Sequence, residues 1–134
     1  MPIATGSANG KVVFDKVMWD GKEVRALTLT FANGKLTSMT SAVSSIDGIK
    51  ATYDAAGGGK SELSWLDLGV NPATTLPLGT GPMIWGAPGS VALGFGDNRG
   101  FGGTNASDFG FSGQLGGATV TVDGAAIVRA GSLK

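Results

Sequence analysis

The stretch Glu23-Val24-Arg25-Ala26-Leu27-Thr28-Leu29-Thr30-Phe31-Ala32-Asn33-Gly34-Lys35-Leu36-Thr37-Ser38-Met39-Thr40 decides the kind of fold this chain takes. Leu27, Leu29 and Phe31 alternate with Thr28 and Thr30. Successive side chains of a strand point to opposite faces, so this alternation gives one apolar face and one polar face. Asn33-Gly34 follows at once, and both residues tolerate the positive φ that a tight type I′ turn demands. Lys35 to Thr40 then reads as the return strand. Upstream, Lys11-Val12-Val13-Phe14 and Val17-Met18-Trp19 read as two short strands, with Asp20-Gly21 turning into the next. Residues 1–40 are therefore expected to form a β-meander.

Downstream, Ser44-Ser45 precedes Ile46, Ile49, Tyr53 and Ala56, which share one face of a helix if Ser acts as its N-cap. Gly48 weakens that helix, and Gly57-Gly58-Gly59 ends it. From Lys60 to Val70, Leu63, Leu66 and Val70 fit a helical spacing while Trp65 and Leu68 break it, so the type of this segment stays open. Pro72, Pro77, Pro82 and Pro88 make residues 71–88 largely loop, because proline lacks an N–H donor. Ser90 to Phe95 reads as a buried strand, and Gly96 to Gly110 as a glycine-rich loop. Ala118 to Val122 alternates, Asp123-Gly124 turns, and Ala125 to Val128 returns. The expected class is mainly β with a minor α+β character. Meander and hairpins would form a barrel-like or sandwich-like sheet with one or two short helices, in a single domain over residues 1–134.

Composition narrows the chemistry. With 42% hydrophobic and 15% charged residues the chain has the balance of a folded domain. Ten basic and ten acidic residues cancel, which leaves no electrostatic footprint for nucleic acid or an anionic membrane and little repulsion between copies. There is no Cys and no His. Thiolate chemistry is excluded, and the commonest general base and transition-metal ligand is missing. Met1 to Gly10 lacks the basic start and apolar run of a signal peptide, and no apolar stretch is long enough to span a bilayer. A cytoplasmic location is expected, and with it no use of Asn105-Ala106-Ser107 as a glycosylation sequon.

Two glycine motifs invite nucleotide readings and fail them. Gly59-Lys60-Ser61 supplies the end of a phosphate loop, but the first glycine of that motif would fall at Asp54, whose charge repels phosphate. Gly94-Phe95-Gly96 hints at a dinucleotide turn, yet Gly100 is one residue late and no helix start follows. Among the acids, Asp97 and Asp108 share one loop with Asn98 and Asn105 between them. The candidate ligand-binding set is accordingly Asp97, Asn98, Arg99, Thr104, Asn105 and Asp108. Such oxygens suit Ca²⁺ or Mg²⁺, although Asp and Asn in a glycine-rich loop more often hydrogen-bond its turns. No Ser-His or Cys-His arrangement exists, and no Ser-Lys pair stands out.

Several motifs resemble the C-terminal half of the thermophilic-type (M29), leucyl aminopeptidase-like metallo-aminopeptidases. Gly69-Val70-Asn71-Pro72 looks like their Gly-Thr-Asn-Pro step, and Ser90-Val91-Ala92-Leu93-Gly94 their His-Ile-Ala-Leu-Gly strand. Gly102-Gly103-Thr104-Asn105-Ala106-Ser107 is similar to their Gly-Gly-x-Asn-x-Ser loop. Thr119 to Gly124 with Ile127 to Gly131 resembles their closing hairpin, and Gly10 to Phe14 with Leu27 to Leu36 their meander. Ring-cleaving dihydroxypyridine dioxygenases share this half, so the likeness does not fix a reaction. The resemblance implies two metal ions held by Glu, His, Tyr and Asp. At the matching positions this chain has Trp65 for a Glu, Ser90 for a His, and Asp108 and Gly110 for a His-x-Asp pair. Trp and Gly cannot ligate a metal, and Ser is a poor divalent ligand.

The expectation is thus a non-catalytic aminopeptidase-like β-domain, a pseudoenzyme with no cofactor and no metal, acting as a binding or self-assembly module. Its expected partner is a second copy or another protein, not nucleic acid or membrane. Trp19, Trp65, Trp85 and Phe101 suit an interface, although core packing accounts better for any one of them. The alternatives are an enzyme of altered chemistry, hydrolase or dioxygenase-like, using Asp97 and Asp108, and one subunit of a split enzyme.

Overall fold

A computed structural model describes residues 6–74 and 87–134. Trp85, Pro77 and Pro82 lie outside the described residues. Among the described residues three three-stranded sheets and one α-helix make the fold mainly β, and no sheet closes into a barrel. The elements are β1 (Gly10–Trp19), β2 (Lys22–Ala32), β3 (Lys35–Ser41), α1 (Asp47–Ala55), β4 (Leu63–Leu68), β5 (Val91–Gly96), β6 (Gly110–Leu115), β7 (Val120–Val122), β8 (Ala125–Arg129) and β9 (Ser132–Leu133). The sheets run β1-β2-β3, β4-β5-β6 and β7-β8-β9. The chain divides into two compact units, residues 1–66 with 93–113 and residues 67–92 with 114–134.

The expected meander is present. Antiparallel pairing sets Phe14 opposite Leu27 and Leu29 opposite Met39, and Asn33 and Gly34 turn with φ of 50° and 78°. Positive φ at both positions is the type I′ signature, whose twist matches that of the flanking strands. The two expected short strands before Asp20 are one continuous strand, β1. A local device explains why its pattern looked broken. Ala26 has φ +50°, and the ladder skips the Asp15–Ala26 position. Leu27, Leu29 and Phe31 are buried on one side of that kink, and Val24 is buried on the other. The left-handed residue turns the strand over by one position, so both halves face the core. On β1 the same switch buries Phe14 and Val17.

The helix occurs as expected, but its start does not. Ile46 occupies the N-cap and makes no side-chain cap. Ser45, one residue earlier, accepts from the Asp47 N–H at 3.3 Å and donates to Asp47 Oδ2 at 2.8 Å. At the other end Lys60 Nζ donates to the carbonyls of Tyr53 and Asp54 at 2.8 and 3.1 Å. A cation there satisfies orphan carbonyls and complements the helix dipole.

Residues 60–70, whose type the spacing left open, contain strand β4. Adjacent Ser64 and Trp65 are both buried, so both faces are covered and no period of two survives in the sequence. The β6 segment has no expectation to match, since Phe111 and Gly113 face inward among Ser and Gly.

Aromatic rings fill the core of the first unit. Phe95, fully buried, lies 5.9 Å from Phe31, 6.3 Å from Tyr53, 5.4 Å from Phe109 and 5.3 Å from Phe111. Trp19 stacks on Phe109 and Phe111 at 5.7 and 6.1 Å. Gly94 and Gly113 make the room: a Cβ would lie 2.3 Å from Trp65 Nε1 at Gly94, and 2.5 Å from the Phe14 ring at Gly113.

In the second unit β7, β8 and β9 form two successive hairpins around fully buried Val128. Asp123-Gly124 turns as expected, and Ala130-Gly131 repeats its geometry with φ of 48° and 78°. The Gly131 N–H donates to Ala118 O at 2.8 Å, and the Ala130 N–H to Thr119 Oγ1 at 3.1 Å. Among the described residues no helix is long and apolar enough to cross a membrane.

Replacing Phe95 by Ala removes the ring that four others share and is expected to destabilise the chain by about 3–5 kcal/mol in urea unfolding. By contrast Ala26→Gly relieves left-handed strain of roughly 1–2 kcal/mol against a loss of backbone entropy of about half that, so the same measurement should show unchanged or raised stability.

Candidate functional site

The candidate residues sit on the loop between β5 and β6, and all six belong to the first unit. This loop contains one short 3₁₀ turn, Arg99–Phe101. Asn98 is buried at its start, with 3% of its surface exposed. Its Nδ2 donates to Ser64 O at 2.9 Å, and its Oδ1 accepts from the Asn105 N–H at 2.8 Å. The Asn98 N–H donates in turn to Asn105 O at 3.1 Å. Asn105 Nδ2 reaches the carbonyls of Gly59 and Gly96 at 2.8 and 2.6 Å. Two asparagines thus clasp the loop ends together and tie them to β4 and to the Gly57-Gly58-Gly59 connector.

The clasp explains the glycines around it. A Cβ on Gly59 would lie 1.9 Å from Asn105 Oδ1, and one on Gly103 would lie 2.2 Å from Asn98 Cγ. These glycines let backbone approach amide side chains. Lys60 is engaged with α1 and lies 4.8 Å from the Tyr53 ring, and Gly94 is inside β5.

The acids are also engaged locally. Asp97 Oδ1 accepts from Arg99 Nε at 2.6 Å and from the Ser107 N–H at 3.3 Å. The Arg99 hydrogen bond, aided by that of Ser107, holds the Asp97 carboxyl below its ordinary value of 3.8. Asp108 Oδ2 accepts from the Gly57 N–H at 3.3 Å. Thr104 is exposed. Three residues outside the expected set complete the arrangement. Ser107 Oγ donates to Gly57 O at 2.9 Å and accepts from the Phe109 N–H at 3.1 Å. Ser64, fully buried, directs its Oγ to Gly94 O at 3.4 Å. Glu62, 3.5 Å from Lys35 Nζ, joins β4 to the first sheet through the Lys35–Glu62 bridge. Ser107 lies within the Gly102 to Ser107 motif but was not among the expected residues; Ser64 and Glu62 carry no sequence signal.

Each oxygen and amide in this loop that has a hydrogen-bond partner uses it to fix backbone, apart from the Asp97–Arg99 pair. Among the described residues no three Asp or Glu gather as they would around a metal ion. Trp65 is buried against Phe101, 4.8 Å between ring centres, and Gly110 begins β6. Ser90, in the second unit, accepts from the Gly69 N–H through its carbonyl at 2.9 Å. Elsewhere in the first unit a cleft of 810 Å³ is lined by Trp19, Asp20, Glu23, Ser44, Gly48 and Thr52, among others. No family model, no curated protein and no solved structure matches the chain.

Asn105→Ala removes the side-chain donor to the Gly59 and Gly96 carbonyls, of which Gly59 keeps only the Glu62 N–H at 3.2 Å, and is expected to cost roughly 1–3 kcal/mol. Asp97 carries a lowered pKa in the folded state, so its contribution is full above the ordinary carboxylate value and fades as pH falls through the lowered one. Asp97→Asn should therefore be less stable than the parent at neutral pH, with the gap closing in strong acid. Paired urea unfolding curves at both pH values check both variants.

Proposed function

We propose that this chain is a non-catalytic β-domain of aminopeptidase-like ancestry that acts as a binding or self-assembly module. One observation carries the reading. The polar loop that would have to supply chemistry uses its asparagines, Ser107 and Asp108 to hold backbone in place. The aminopeptidase part rests on the ordered motifs quoted above. Trp65 supports the loss of function, since a buried indole tilted against Phe101 stands where the resemblance sets a metal-binding Glu.

Surface properties support the binding part. Zero formal net charge lets copies approach without long-range repulsion. Val13 and Met18 on β1 and Phe101 on the 3₁₀ turn are each more than two-fifths exposed. Aromatic and Met side chains in such positions favour protein contacts. A cytoplasmic setting, with protein and not nucleic acid as the partner, fits the same neutral surface.

Two measurements test the reading together. Light scattering after size exclusion is expected to give a mass above that of one chain, rising with concentration. Incubation with peptide substrates and added Zn²⁺, Mn²⁺ or Co²⁺ is expected to release no amino acids. Chelator-sensitive release would replace this reading with that of a working enzyme.

A further inference from the structure

β1 is the outer strand of its sheet, ten residues long and paired along one edge only among the described residues. A strand in that position presents unpaired N–H and C=O groups, which proteins normally protect. β1 has two unusual properties as an edge. Its outward residues are not uniformly charged, since Val13 and Met18 are each 45% exposed. Its two central residues, Asp15 and Lys16, are adjacent exposed charges of opposite sign.

We propose that β1 pairs antiparallel with β1 of a second copy, about a twofold axis between Asp15 and Lys16. The proposal rests on the assembly reading above and names its surface. The face switch selects the register. Phe14 faces inward and so does Val17, while Val13, Asp15, Lys16 and Met18 are exposed. Directly opposed residues in an antiparallel pair share a face. Centring the axis between residues 15 and 16 sets Phe14 against the partner's Val17, and Val13 against its Met18. Any shift by one or two positions puts a buried residue opposite an exposed one at the strand centre.

Charge agrees with that register. It sets Asp15 against Lys16 of the other copy, twice by symmetry. Within one chain, Asp15 has no ion pair among the described residues. Lys16 stands directly opposite Arg25 on β2, and the two share Glu23, 3.7 Å from Lys16 and 3.6 Å from Arg25. Like charges facing each other across strands are unfavourable, and a carboxylate arriving on the open side relieves them. A self-complementary patch of this kind is what a twofold interface requires.

The test is a charge swap read by sedimentation or light scattering on the full chain. Asp15→Lys alone, or Lys16→Asp alone, turns both central pairs repulsive and should weaken self-association roughly tenfold or more. Asp15→Lys combined with Lys16→Asp restores opposite pairs and should recover it. Circular dichroism checks that these exposed substitutions leave the fold intact. A second probe exploits the absence of native Cys. Val13→Cys with Met18→Cys should give a disulfide-linked dimer on oxidation. Five residues along one strand are too far apart, at about 16 Å, to close within a chain. Self-association unchanged by either single swap, with no crosslink, overturns the β1 pairing and leaves the assembly reading standing on another surface. A monomer at every concentration overturns both.

Discussion

Phe95 is the ring on which the first unit depends. It touches Phe31 from the first sheet, Tyr53 from the helix, Phe109 just before β6 and Phe111 within it. Three segments distant in sequence therefore share one side chain. Burying an aromatic ring removes a large apolar area from water, and tilted or edge-on packing adds to that gain. The surrounding residues follow from the ring: Gly94 and Gly96 flank it because neighbouring rings and the Phe109 carbonyl leave no space for a Cβ. Tyr53 keeps its hydroxyl satisfied by Ser61, so the helix can place its ring in this core without an unpaired polar group.

The polar network sits beside that core and has a matching purpose. A loop that leaves a buried strand carries backbone groups that need partners. Asn98 and Asn105 supply donors and acceptors in pairs, and Ser107 and Asp108 secure the connector that follows the helix. Residues that look like a reactive constellation in a linear sequence thus act as a backbone brace. Asp97 and Arg99 extend it as an ion pair near the surface, where solvent screens its worth.

Much of the fold was legible because its signals are local. Alternation over Leu27 to Phe31 and the Asn33-Gly34, Asp20-Gly21 and Asp123-Gly124 pairs gave strands and turns directly. Local signals failed where a residue broke its own rule. Ala26 and Ala130 adopt positive φ without being Gly, Asn or Asp, so the switch in β2 and the last hairpin have no marker. Strand β4 is covered on both faces and shows no period. Of the candidate loop, its position and its polar residues were readable. Their partners were not, because Gly59 and Ser64 lie 46 and 34 residues away from the asparagines they bind.

The sequence alone determined the β class, the tight turns and the lack of imidazole and thiol, since each depends on residue type or on neighbours along the chain. Only the tertiary structure decided that Asn98 and Asn105 brace the backbone, that Trp65 fills core, and that β1 turns one continuous apolar face inward while leaving Asp15 and Lys16 outside. These depend on which distant atoms come within bonding distance, and a linear pattern carries no record of that.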